Sequence, residues 1–125
     1  MGRRLVRWLP ALGWMGLIFF LSNQSDLPHA PGAWLDTVVK KGGHALVFGI
    51  LARLYLYALQ GSGAACDRLR GWSFALAVVY AMSDEAHQAY VPGRNPAVWD
   101  VLIDAVGAAT AMGVHRLLAQ ASSRR

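Results

Sequence analysis

The chain contains four long apolar stretches separated by short polar breaks. Each stretch approaches the roughly 20 apolar residues that a transmembrane helix needs at about 1.5 Å per residue. None alternates apolar and polar positions as a half-buried strand does. The breaks are rich in Gly, Pro and Asn, which favour turns. The pattern predicts an all-α integral membrane protein, a single domain over residues 1–125 with transmembrane helices at about 5–21, 44–59, 72–91 and 98–118.

The first stretch has a second interpretation. Three arginines accompany the start of the apolar run, and this arrangement is also typical of a signal peptide. The apolar run is at the upper length limit of a signal-peptide core, and no clear small-x-small cleavage site follows it. We therefore favour a first transmembrane helix and keep the signal peptide as the alternative.

Composition agrees with a membrane protein and excludes several other classes. The chain is 55% apolar and 15% charged, with a mean hydropathy of +0.32. Soluble domains are nearer ~45–50% apolar and ~25% charged, so a disordered tail and a water-soluble enzyme are poor interpretations. The net charge of +5 comes from short clusters at the ends of apolar stretches, so no nucleic-acid partner is expected. The single cysteine, Cys66, excludes an internal disulfide and a multi-cysteine metal site.

The basic residues predict an orientation. With four crossings both termini lie on one side, and eight of the twelve Lys and Arg residues then share that side. Three others lie opposite, in the breaks at 22–43 and 91–95, and one lies within the second helix. Cytoplasmic segments carry the excess of positive charge. We therefore expect both termini and the break at 60–71 in the cytoplasm.

Carboxylates of the third and fourth helices fall at matching depths. Counted at 1.5 Å per residue, Asp84 and Glu85 lie roughly 8–9 Å below the outer end of the third helix. Asp104 lies at about 9 Å in the fourth helix, which runs in the opposite direction. Gln88 and Asp100 are closer to the surface, at about 3 Å. The spacing thus gathers polar groups near the outer side.

These polar groups are costly in lipid. One ionised side chain at the bilayer centre costs about 2.5–3.5 kcal/mol, so four facing lipid would cost on the order of 10 kcal/mol. We expect Asp84, Glu85 and Asp104 to face the bundle interior near cations. For Gln88 and Asp100, a position among headgroups and water is the alternative. The candidate cations and imidazoles are Lys40, Lys41, His44, His87 and Arg94.

Three motifs carry a family resemblance. The most specific is Asp84-Glu85-Ala86-His87-Gln88 with Pro92-Gly93-Arg94, followed by Asp100 and Asp104; the others are Lys41-Gly42-Gly43-His44 with Phe48, and Ser22-Asn23-Gln24-Ser25. In this order they resemble the VanZ-like family over nearly the whole chain. The chain departs from the family pattern at Ala45, where an aromatic residue is frequent, and at Asp104, where asparagine is frequent.

The resemblance implies a small multi-pass protein of the bacterial cytoplasmic (inner) membrane. The family's namesake is linked to resistance against teicoplanin-type glycopeptide antibiotics. The first hypothesis is a cell-envelope protein that binds a lipid-linked wall precursor, a lipid headgroup or a glycopeptide at its extracytoplasmic face. The second is a membrane-embedded enzyme acting on a lipid headgroup, and the third is a structural or small-solute conduit role.

The catalytic candidates for the enzyme hypothesis are Asp84, Glu85 and His87. Glu85 or Asp84 would act as general base, and His87 or His44 as proton shuttle. No cofactor is expected, although a divalent cation between Asp84, Glu85 and Asp104 is a variant, because hard ions favour carboxylate oxygens.

The ligand-binding candidates are expected to surround one shared polar pocket with Asp84 and Glu85. They are Lys41, His44, Gln88, Arg94, Asp100 and Asp104. A guanidinium such as that of Arg94 binds a phosphate or carboxylate with two hydrogen bonds. The alternative is a salt bridge from Arg94 to Asp84, Glu85 or Asp100 that latches the loop. Glu85 and Arg94 are predicted to carry the function.

Overall fold

The computed structural model describes residues 2–25, 28–61 and 63–125, and within these residues the chain forms helices and no strand. Four helices have 14 residues or more, and a fifth is short. They are α1 (Gly2–Val6), α2 (Leu9–Ser22), α3 (Ala33–Gln60), α4 (Asp67–Gln88) and α5 (Val98–Ser123). The predicted all-α class with four main helices is confirmed.

The first helix is interrupted near its start. Pro10 lies in the first turn of α2 and lacks the N–H group that would continue the helical ladder back to Val6. The chain therefore leaves the helix at Arg7 and resumes it at Leu9. α1 and α2 together correspond to the first predicted helix, which begins a few residues earlier than expected.

The largest departure from the prediction is the start of α3. The sequence predicted a break at 22–43, but α3 begins at Ala33 and includes Gly42 and Gly43. The loop ends at Gly32, whose φ of 84° favours glycine. Asp36 then accepts a 2.8 Å hydrogen bond from the Ala30 N–H and forms an i,i+4 salt bridge of 2.8 Å with Lys40. These contacts stabilise the first turns and outweigh the low helix propensity of the two glycines.

Two other boundaries differ by several residues. α4 begins at Asp67 rather than near residue 72, because Asp67 and Arg70 form a 2.8 Å i,i+3 ion pair in its first turn. α5 continues to Ser123 rather than ending near residue 118. In both cases further residues with polar side chains lengthen a helix whose apolar part the sequence predicted.

α3 forms the centre of the bundle. Its buried side chains include Phe48, Leu51, Ala52, Tyr55 and Leu56. α5 crosses α3 in direct backbone contact, because a Cβ atom at Gly107 would clash with the backbone of Ala45 and one at Gly49 would lie 3.1 Å from the Gly107 carbonyl oxygen. Small residues at a crossing allow helices to approach this closely.

α2 is attached to the bundle by two hydrogen bonds to the backbone. The Trp14 Nε1–H donates to the Val47 carbonyl oxygen at 2.9 Å, and the Tyr80 hydroxyl donates to the Met15 carbonyl oxygen at 2.7 Å. Ala11 and Ile18 of α2 are buried in the common core. The first helix is therefore an integral part of the bundle.

The surface of the bundle is apolar. By length and composition, α1 with α2, α3 and α5 could each cross a membrane. α4 is long enough at 22 residues but is not among these candidates. Its polar side chains Asp84 and Glu85 are buried, whereas Trp72, Val79 and Met82 are more than half exposed. This distribution suits lipid outside and polar contacts inside, and it indicates a membrane protein.

Candidate functional site

Most of the predicted site residues lie at one end of the bundle, which we call the polar end. It comprises the start of α3, the segment 89–97 after α4, the first turns of α5 and the C-terminal end of α2. Two contacts join α3 to α5 there. Lys41 Nζ lies 3.0 Å from Asp100 Oδ1, and His44 Nδ1 lies 3.2 Å from Asp104 Oδ1. Asp104 is only 1% exposed, so the imidazole of His44 connects this buried carboxylate to the surface of the site.

Asp84 and Gln88 connect α4 to α2. The Gln88 amide donates to Asp84 Oδ2 at 3.1 Å and lies 3.5 Å from the Ser22 hydroxyl oxygen. All three side chains are at least nine-tenths buried. Because a buried polar group without a partner is costly, this set stabilises the contact between the two helices.

Glu85 has a different partner. Its Oε1 accepts a 2.6 Å hydrogen bond from the backbone N–H of Ala97, the residue that precedes α5. The first N–H groups of a helix lack partners within the helix, and its N-terminus favours negative charge. Glu85 therefore stabilises the start of α5.

Arg94 binds the end of α2. It follows Gly93, whose φ of 81° permits the turn after α4. The Nε–H donates to the Gln24 carbonyl oxygen at 3.0 Å, and Nη2 donates to the Leu21 carbonyl oxygen at 3.1 Å. These carbonyls lie at the negative end of the α2 dipole, where a cation is favoured. Arg94 thus ties the loop after α4 to α2.

The charge of Arg94 has no carboxylate partner among the residues that the structure describes. The expected salt bridges to Asp84, Glu85 or Asp100 are not formed, because the guanidinium is turned towards the α2 carbonyls. Lys40 and Lys41, in contrast, are each paired with an aspartate. Arg94 is therefore the strongest candidate here for binding an external anion.

At the polar end, the described residues line two adjoining cavities. The apolar cavity, about 230 Å³, lies between α2 and α3 and has walls of Ile18, Leu21, Val39, Val47 and Phe48. The polar cavity, about 210 Å³, is lined by Asp36, Thr37, Lys41, Gln88, Asn95 and Asp100. Lys40, His44 and Arg94 line both cavities.

The predicted catalytic residues do not converge on one point. Asp84 lines the apolar cavity, but Glu85 lines neither cavity. The His87 ring stacks on Phe19 of α2 at 4.6 Å between centroids, and its buried Nδ1 has no hydrogen-bond partner in the described part of the chain. Within the described ranges, no group of three His, Cys, Asp or Glu residues is arranged to hold a metal ion.

Three residues of this end were not among the predicted ligand-binding residues: Asp36, Ser22 and Lys40, which the sequence indicated only as a candidate cation. Lys40 lines both cavities, Asp36 pairs with it, and Ser22 closes the contact with Gln88. The i,i+4 spacing of Asp36 and Lys40 was a usable signal for an early start of α3. Ser22 had no comparable signal, because its role depends on how α2 and α4 pack.

This geometry defines a small helical membrane bundle with a site at one end that combines cations, carboxylates and an apolar wall. A family model of VanZ/LLP1 matches residues 7–119, and the chain belongs to that family. The resemblance seen in the sequence motifs is thereby confirmed. A search of curated proteins and a search of solved structures each found no match.

Proposed function

We propose that this VanZ/LLP1-family protein binds an anionic headgroup at the extracytoplasmic face of the bacterial inner membrane. The observation that carries the proposal is the guanidinium of Arg94, which lines both cavities without a carboxylate partner among the described residues. Its two bonds to carbonyl oxygens hold the planar group in place and leave Nη1 free of a described partner. A fixed guanidinium of this kind suits a phosphate or a carboxylate.

Neighbouring groups support an anion rather than a cation as the ligand. Lys40 and His44 line the same two cavities as Arg94. The negative charges of Asp36 and Asp100 are already balanced by Lys40 and Lys41 at 2.8 and 3.0 Å. An added anion is therefore attracted to Arg94, and Asp84, the carboxylate that lines the same apolar cavity, weakens this attraction.

The proposed orientation puts the polar end outside and both termini in the cytoplasm. Exposed aromatic side chains support a bilayer position, since Trp34, Tyr90 and Trp99 lie at the polar end and Trp72 lies at the other. Trp and Tyr are enriched at both membrane interfaces. From Trp72 to Tyr90, just beyond the end of α4, the helical rise gives roughly 27 Å, close to the hydrocarbon thickness of about 30 Å.

The orientation is tested by thiol labelling of Cys66, which is exposed and is the only cysteine. We expect a membrane-impermeant maleimide to leave Cys66 unlabelled in intact cells and to label it after the membrane is opened. Labelling in intact cells would overturn the orientation. Immunodetection of the protein in the membrane fraction controls for expression.

The headgroup site is tested with Arg94→Gln and Arg94→Lys in purified protein. We expect dioctanoyl phosphatidate to bind the wild type, and Arg94→Gln to weaken binding by about 10- to 100-fold, since a hydrogen bond to a charged group contributes roughly 1.5–3 kcal/mol. Arg94→Lys keeps the charge but loses the planar fork and should give an intermediate loss.

Arg116→Gln is the matched control. Arg116 is exposed and lies 3.5 Å from Asp67 at the start of α4, the opposite end of that helix from the site. Binding that is unchanged in Arg94→Gln, or reduced equally in Arg116→Gln, would contradict the proposal. Thermal unfolding of each variant separates loss of the site from loss of the fold.

In the cell, the ligand class includes lipid-linked wall precursors, and a wall-directed glycopeptide is the other candidate. Expression in a teicoplanin-sensitive bacterium tests this role. We expect the wild type to raise the inhibitory concentration of teicoplanin and Arg94→Gln to remove the increase. An unchanged inhibitory concentration with the wild type would contradict the resistance role but not headgroup binding.

A second candidate function is acid-base chemistry on the headgroup. The His44–Asp104 pair favours it, because a buried carboxylate orients an imidazole that lines both cavities. Turnover of a phosphatidate by the wild type, lost in His44→Gln, would support an enzyme. Equal product formation with and without the protein, in the presence and absence of Mg²⁺, would exclude this activity for the substrate tested.

A further inference from the structure

The apolar cavity adjoins the cationic groups without a barrier between them. Val39, Gly43 and Val47 form one row of α3 at i, i+4 and i+8, and Lys40, His44 and Phe48 form the adjacent row. The first row is apolar along its whole length. The second row changes from charged to aromatic along the helix. A ligand that contacts both rows must therefore combine a charged part with an apolar part.

The cavity lies between α2 and α3, and part of its wall belongs to the exposed apolar surface of the bundle. Deeper in the bundle, Trp14 joins these helices through its bond to the Val47 carbonyl. At the polar end, Arg94 holds the end of α2. On the sides, Leu21 and Val39 are 40% and 55% exposed. This part of the bundle surface faces lipid if the protein spans the membrane as proposed.

Gly43 enlarges the cavity at its middle. A Cβ atom on Gly43 would meet nothing within 4 Å, so no packing contact in the bundle requires glycine there. Glycine within a helix costs up to about 1 kcal/mol relative to alanine. The missing side chain leaves a notch between Val39 and Val47 in the apolar row.

We propose that the apolar cavity holds a hydrocarbon chain of a membrane lipid whose anionic headgroup binds at Arg94. The inference rests on the proposed function and names its ligand class, an anionic amphiphile that enters from the bilayer between α2 and α3. The occupant follows from charge complementarity, because the apolar walls end at Lys40, His44 and Arg94. The two cations Lys40 and Arg94 outnumber Asp84, the one described carboxylate that lines this cavity. A water-soluble anion would leave the apolar walls unoccupied.

The test uses Gly43→Leu, which places a side chain in the notch. Gly42→Leu is a closely matched control, because Gly42 is the preceding helical residue, also has nothing within 4 Å of an added Cβ, and lines neither cavity. Both changes replace glycine with a better helix former, so both proteins should fold. The probes are dioctanoyl phosphatidate and glycerol 3-phosphate, measured by native mass spectrometry of the purified full chain in detergent.

We expect wild-type protein to bind dioctanoyl phosphatidate at least about tenfold more tightly than glycerol 3-phosphate, since each buried methylene contributes about fourfold in affinity. Gly43→Leu should weaken phosphatidate binding by about tenfold or more and leave glycerol 3-phosphate binding unchanged. Gly42→Leu should bind both as the wild type does. In addition, a phosphatidate with a diazirine on its acyl chain should crosslink to α2 or α3 near this cavity.

Equal affinity of the wild type for the two probes, or equal phosphatidate binding by Gly43→Leu and Gly42→Leu, would overturn the inference. These results would leave the headgroup site intact if Arg94→Gln still weakened binding. Phosphatidate binding that is insensitive to Arg94→Gln but sensitive to Gly43→Leu would instead overturn the proposed headgroup site and support the chain site alone.

Discussion

Replacing Gly107 with alanine tests the closest contact in the bundle, the crossing of α5 over α3. A Cβ atom added to Gly107 would lie 2.6 Å from the carbonyl carbon of Ala45 and 2.7 Å from its Cα. Carbon atoms in favourable contact are about 3.5–4.0 Å apart. Because both obstacles are backbone atoms, no side-chain rotation relieves the clash. The two helices must therefore separate by about 1 Å at this point.

The separation would extend to the polar end. His44 precedes Ala45, and Asp104 lies one turn from Gly107, so a 1 Å shift would lengthen the 3.2 Å contact between His44 and Asp104 beyond hydrogen-bonding range. Overpacking costs about 1–3 kcal/mol, and the lost hydrogen bond costs about 0.5–1.5 kcal/mol. We expect Gly107→Ala to lower the free energy of unfolding by roughly 2–4 kcal/mol.

Thermal unfolding of the purified protein in detergent measures this effect. Gly113→Ala is the control, because Gly113 lies in the same helix and an added Cβ meets nothing within 4 Å. At about 4 °C per kcal/mol, Gly107→Ala should melt roughly 8–15 °C below the wild type, whereas Gly113→Ala should melt at the same temperature or higher. Equal melting temperatures for the two variants would refute the contact.

Three further predictions concern the polar end. Glu85→Gln should leave the melting temperature nearly unchanged because glutamine still accepts from the Ala97 N–H, whereas Glu85→Ala should cost about 1–2 kcal/mol; equal losses in the two variants would contradict the capping role. Asp84→Asn should strengthen phosphatidate binding several-fold by removing a negative charge from the apolar cavity, and weaker binding would favour a cation there. Asp104→Asn should keep the hydrogen bond to His44 and the wild-type stability, whereas Asp104→Ala should lower the free energy of unfolding by about 1–3 kcal/mol, measured by thermal unfolding. A large loss of stability in Asp104→Asn would show that the negative charge is required.

The sequence was sufficient to predict the four main helices and the end of the bundle at which polar side chains collect. The 1.5 Å rise per residue put Asp84, Glu85 and Asp104 at one depth, and the structure gathers these residues at the polar end. Gly107 and Ala108 are small residues of the kind that allows helices to pack closely, and Ala108 is fully buried. These features depend on helical periodicity, which a single chain reveals.

The partners of the charged groups could not be predicted from the sequence. A salt bridge from Arg94 to a carboxylate was one of two alternatives, but Arg94 binds the carbonyl oxygens of Leu21 and Gln24. Nothing in the sequence indicated that Glu85 accepts a hydrogen bond from the backbone N–H of Ala97. Backbone groups carry no signal in a sequence, since every residue has them, and only the packing of helix ends decides which remain available.

The polar side chains of α4 explain both its low mean hydropathy and its position in the bundle. Its polar side chains are retained because each one meets a different neighbour: Gln88 approaches Ser22 of α2, and Glu85 caps the start of α5. Removing these groups would make α4 more apolar, but it would also remove one contact to each of the helices α2 and α5. The buried acids therefore hold the helices around the cavities, while Arg94 has no carboxylate partner among the described residues and is the group that we propose binds the ligand. We therefore expect substitution of Glu85 to change the stability of the protein and substitution of Arg94 to change ligand binding.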